Sequence, residues 1–82
     1  MSATLTSVYV LLQWSQIDRS RLGERTQITL PQEGVGLGYE FAHDGQRWRI
    51  VAVGNARDMG FGRAPSKRSA YVCAPVGRAR SR

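Results

Sequence analysis

The sequence predicts a mainly β protein, a small SH3-like or OB-like barrel of about five strands with at most one short helix and a basic C-terminal tail. Three observations lead there. Asp44-Gly45, a dipeptide that accepts the positive φ of a type I′ turn, lies between two strand-like runs, Tyr39 to His43 and Gln46 to Val53. Two other short runs, Thr26 to Leu30 and Ser69 to Ala74, read as strands and stop at Pro31 and Pro75. The 82 residues suffice for one small domain, which excludes two lobes closing over a deep cleft.

The first segment, Ser7 to Leu22, carries two signals. Val8-Tyr9-Val10-Leu11-Leu12 is β-branched and aromatic and favours a buried strand, whereas Trp14, Ile17, Asp18, Arg21 and Leu22 have helical spacing with Gly23 placed as a cap. A strand from Ser7 to Trp14 followed by a short helical turn is the preferred reading, and one helix from Ser7 to Leu22 is the alternative. In the next strand Ile28 and Leu30 share a face. Glu33 to Gly38 then reads as a turn or bulge. Its GVGLG wording is not a dinucleotide-binding loop, because such a loop opens a helix and here a strand follows.

A two-residue hairpin loop sets the register of its strands directly. His43 faces Gln46, Ala42 faces Arg47, Phe41 faces Trp48, Glu40 faces Arg49 and Tyr39 faces Ile50. Tyr39, Phe41, Trp48 and Ile50 then form one apolar face, while Glu40, Arg47 and Arg49 share the wet one. Val51 and Val53 fall on the arginine face, so the far end of that strand is expected to be covered on both sides, as in a strand bending through a closed barrel. The wording YEFAHDGQRWRIVAV resembles hairpins of several small barrel proteins, phage head-tail connectors among them, over 15 residues, and identifies no family.

The connection from Gly54 to Lys67 has 14 residues with three glycines and no periodicity, a length that marks functional or disordered loops. GFGRAPSKRS within it lacks the GKS or GKT ending of a phosphate-binding loop. Residues 1–76 are read as the barrel and 77–82 as a flexible basic tail.

Charge is distributed unevenly along the chain. Residues 1–56 balance five arginines with five acids, so the whole net charge of +6 lies in residues 57–82. Clustered cations raise the local potential and release counterions from phosphates, which points to a polyanionic partner. Eleven of the twelve cations are arginine, whose planar fork suits phosphate and base edges. The candidate site is therefore Arg57, Phe61, Arg63, Lys67, Arg68, Tyr71, Arg78, Arg80 and Arg82, aromatic rings interleaved with cations as in small barrels that hold single strands. Gly60 and Gly62 would let the backbone approach a phosphate and Phe61 swing outward, or Phe61 would fold back and close the barrel end.

Other chemistries are poorly supplied. One Cys and one His cannot complete the usual zinc sites, and the lone Cys73 forms no internal disulfide. Cys73 reads as a buried thiol, His43 as an exposed turn imidazole, and no carboxylates stand out as an acid and base pair. No enzyme activity, metal or cofactor is expected. The N-terminal stretch lacks a basic start and a long apolar run, so no signal peptide or membrane span is read, and a cytoplasmic location is expected. The partner expected is nucleic acid, DNA or RNA, bound with little regard to sequence. The alternative is an acidic protein surface met by a phage or mobile-element connector or inhibitor, and a homo-oligomer through a free sheet edge is a further option.

Overall fold

The computed structural model describes residues 4–65 and 67–77. With 51% of the described residues in strands and 4% in helix, the protein is mainly β, a five-stranded mixed sheet curled into a half-barrel. The strands are β1 (Leu5–Leu12), β2 (Glu24–Pro31), β3 (Glu40–His43), β4 (Gln46–Asn55) and β5 (Ser69–Pro75), in the spatial order β2-β1-β5-β4-β3. All neighbours are antiparallel except β1 and β5, which run parallel with Tyr9 opposite Ala70 and Leu12 opposite Cys73. No helix among the described residues is long and apolar enough to cross a membrane.

The first segment resolves as a strand. Alternation along β1 buries Val8, Val10 and Leu12, and a single 3-10 turn, Trp14–Gln16, follows it. Gly23 caps no helix; it leads into β2, which begins one residue later. The hairpin register is the one expected, from His43 opposite Gln46 to Glu40 opposite Arg49, and the Ile50 N–H donates to the Tyr39 carbonyl at 2.9 Å. Asp44 and Gly45 take φ of 54° and 77°, as a type I′ turn requires.

Register divides the sheet into two faces. Val8, Val10 and Leu12 share the concave face with Ile28, Leu30, Phe41, Trp48, Ile50 and Cys73, and these form the main core. Trp48 is fully buried and meets Trp14 edge to face, centroids 4.8 Å apart. Trp14 is held in turn by a 2.8 Å hydrogen bond from its Nε1 to Glu24 and by the Arg21 guanidinium 3.6 Å above its ring. Arg21 also reaches Asp44 at 3.5 Å, so one cation ties the turn after β1 to the hairpin tip. Buried Gln46 donates to the Arg47 carbonyl at 2.8 Å and lies 3.4 Å from that of Val76, which fixes where the chain leaves β5.

Two expectations about barrel closure are corrected. β2 and β3 stand at opposite edges, so the barrel stays half open. Val51 and Val53, expected to be covered, are 48% and 47% exposed. A bulge between Ile50 and Ala52 bends β4 instead, and the four-residue β3 ends before it could run alongside them.

Replacing Trp48 with Ala should cost about 3 to 5 kcal/mol, because the ring sits at the centre of the core with no slack to refill its volume. Urea titration followed by far-ultraviolet circular dichroism measures this. A loss under about 1 kcal/mol would show that the core is not organised around this ring.

Candidate nucleic-acid interface

The long connection between β4 and β5 is ordered by its own turns and by a second small core. The Ala56 N–H donates to the Arg68 carbonyl at 2.8 Å and closes the base of the loop. Within it the N–H groups of Phe61 and Ala64 donate to the carbonyls of Ala56 and Phe61. Asn55 Oδ1 accepts from the Asp58 N–H at 3.2 Å, a side-chain turn that starts the reversal. Ala56, Phe61 and Ala64 pack with Ala70, Tyr9 and Met59. Because Tyr9 and Ala70 are register partners that alternate with the core residues, this loop lies on the convex face of the sheet.

That packing places Phe61 inside the fold. It is 9% exposed and meets the Tyr9 ring edge to face at 5.2 Å, so neither expected placement describes it: the ring does not swing out to solvent, and it packs on the convex face instead of closing the barrel end. Gly60 serves this arrangement rather than a phosphate. It adopts φ of 96°, and a methyl placed on it would meet Arg25 Nε at 2.6 Å.

Three arginines use carbonyl oxygens to hold the loop down. Arg25 Nε donates to the Met59 carbonyl at 2.7 Å, Arg57 Nε to that of Ala64 at 2.9 Å, and an Arg68 terminal nitrogen to that of Ser7. The Arg68 guanidinium also lies 5.7 Å from the Tyr9 ring centroid. A guanidinium bound to a neutral oxygen keeps its whole positive charge, so these contacts position charge without cancelling it. Among the described residues no carboxylate pairs with Arg57, Arg63, Lys67 or Arg68. The hairpin is different: Glu40 accepts from Arg49 at 2.6 Å and from Arg47 at 3.1 Å, and these two bonds, Arg49 first, hold its carboxyl below the usual range.

Lys67, Arg68 and Tyr71 meet at a cleft of about 320 Å³ beside the start of β5. Thr6 and Val8 of β1, Gln32, Val35 and Ser69 complete its walls. By register Thr6, Val8 and Tyr71 belong to the concave face, so the cleft opens at the end of the half-barrel away from the hairpin tip. Tyr71 is half-buried and packs against the main core, while Lys67, Arg68 and Ser69 are exposed. The cleft thus offers hydroxyl, amide and cationic groups above an apolar floor.

The sequence-predicted residues do not form a single surface. Lys67, Arg68 and Tyr71 come together at the cleft, Arg57 and Phe61 belong to the loop on the convex face, and Arg63 is exposed on that same loop. Arg78, Arg80 and Arg82 lie outside the described residues. The described chain ends at Gly77, eight residues beyond Ser69, which along an extended strand is about 26 Å from the cleft. Thr6, Gln32 and Ser69 were not singled out from sequence, nor was Arg25 as a loop staple. Each owes its place to strand pairings between residues far apart in the chain, and no local pattern signals that.

The remaining reactive groups are apart from this site. Cys73 is fully buried on the concave face, and burial pushes its thiol up to about 12. His43 is half-buried at the hairpin turn rather than exposed. Among the described residues no three His, Cys, Asp or Glu side chains are grouped so as to hold a metal ion. No protein-family model, curated protein or solved structure matches this chain.

Two outcomes follow from this geometry. Arg25→Ala removes the staple at Met59, so trypsin should cut at Arg57 and Arg63 several-fold faster than in the parent protein, with the far-ultraviolet spectrum unchanged; equal rates would show that the loop stays down without it. The Cys73 thiol, neutral and buried, should react with an aromatic disulfide reagent at pH 8 only as fast as the protein unfolds. Reaction at the rate of a free thiol would contradict its position. Because its pKa is raised in the fold, its contribution to stability is present below about pH 9 and is lost as pH rises toward 12.

Proposed function

We propose that this protein binds nucleic acid, DNA or RNA, without catalysis and largely without regard to base sequence. The observation that carries this reading is a set of cations with no carboxylate partner among the described residues, two of which, Lys67 and Arg68, line the same cleft as the half-buried Tyr71. Phosphates ask for uncompensated positive charge, and bases ask for an apolar or aromatic surface next to it. An acidic protein surface asks only for the first. Positive charge on stapled backbone also loses less freedom on binding than charge on a loose loop, which favours association at moderate affinity. Apart from the exposed Gln32 amide, no side chain lining the cleft carries a paired donor and acceptor, so affinity comes mainly from the backbone.

The exposed Val51 and Val53, beside an edge that β3 leaves uncovered, favour a second reading in which the protein is an assembly or inhibitor module gripping an acidic protein. A pull-down repeated with nuclease separates the two: partners lost on nuclease treatment support nucleic acid, and partners retained support protein.

Fluorescence anisotropy with labelled oligonucleotides over a salt series tests the main reading directly. If all seven C-terminal cations reach duplex phosphates, the logarithmic salt slope should approach about −6. Replacing both Arg63 and Lys67 with Gln should make it shallower by up to about 2. Flat titrations at about 50 mM salt for every oligonucleotide would end the proposal.

A further inference from the structure

We propose that the cleft at the start of β5 receives one unpaired nucleotide, so that the protein selects single strands over duplex. The inference rests on the nucleic-acid reading and deepens it. Its basis is size and the arrangement of chemistry. A volume of about 320 Å³ is at the small end of ligand pockets and has room for a single base with its sugar. The floor is Val8, Val35 and Tyr71, apolar and aromatic surface of the kind on which a base lies flat. Lys67 and Arg68 stand at the rim, where the phosphate of a base directed inward would remain. Thr6, Ser69 and Gln32 add hydroxyl and amide groups that can satisfy a sugar or a base edge without demanding one base.

The surroundings support this orientation. Tyr71 is anchored by the main core, so the aromatic surface is held before any ligand arrives, and Arg68 is fastened at the seam of β1 and β5 by the Ser7 carbonyl, its guanidinium on the side of Tyr9. A duplex keeps its bases stacked and paired, and its wide cylinder can touch the rim cations but cannot deliver a base to the floor. Duplex affinity should therefore come from rim charge alone, whereas a single strand gains the stacking contribution as well.

The experiment compares a labelled 12-residue oligothymidylate with a 12-base-pair duplex at one salt concentration, using the full chain. The single strand should bind at least about tenfold more tightly. Tyr71→Ala should weaken the single strand by about 5- to 150-fold and leave the duplex within about twofold. Because Tyr71 also touches the core, Thr6→Phe provides an independent variant that fills the cleft from an edge position without changing net charge, and it should likewise cost the single strand only. Equal affinity for both probes, or a single strand indifferent to Thr6→Phe in a folded variant, overturns the cleft assignment while leaving the nucleic-acid reading in place. Failure of both probes to bind at low salt overturns the nucleic-acid reading itself.

Discussion

The parallel pairing of β1 with β5 is the constraint on which the rest of this structure depends. It is the only parallel contact among the described strands, and it joins segments some sixty residues apart in the chain. Setting Val10 beside Tyr71 and Leu12 beside Cys73 completes the concave core. Setting Tyr9 beside Ala70 creates the convex apolar patch on which the loop between β4 and β5 folds. The cleft is a product of the same pairing, since its β1 wall and its β5 wall are adjacent only because the two strands run side by side. Pairings of such long sequence separation are costly in loop entropy and are secured by burial on both faces of the sheet.

Arginine has two roles in this small molecule. On the hairpin, Arg47 and Arg49 converge on Glu40, which retains its charge at neutral pH and offsets one of the two cations. Around the loop, Arg25, Arg57 and Arg68 donate to carbonyl oxygens, so the same side chains that fasten a glycine-rich connection also leave the surface positive. An 82-residue chain has little apolar area with which to order a long loop. Charge-assisted bonds to backbone oxygen supply part of what a larger core would otherwise provide.

Features set by local rules are legible in the sequence, and those that depend on remote contacts are not. The hairpin register followed from a two-residue turn and a period of two, both short-range rules. Strand in preference to helix for the first segment followed from the β-branched and aromatic run Val8-Tyr9-Val10. The exposure of Val51 and Val53 did not follow, because the bulge at Ile50 changes the phase of β4 and parity counted from the turn fails beyond it. Phe61 could be written as a surface ring or a core ring from sequence alone, and the choice was made by Tyr9, a residue fifty-two positions away.

By itself the sequence determined the β class, the hairpin and its partners, the buried thiol and the concentration of positive charge in the last third of the chain, all properties of composition or of neighbours within a few residues. The tertiary structure alone decided that the barrel remains half open, that the loop settles on the convex face, and that Lys67, Arg68 and Tyr71 share a cleft with Thr6 and Val8. The physical reason is one of range. Alternation, turn chemistry and charge counts act along the backbone, whereas a concave site is made wherever distant strands happen to find burial together, and nothing local encodes which strands those are.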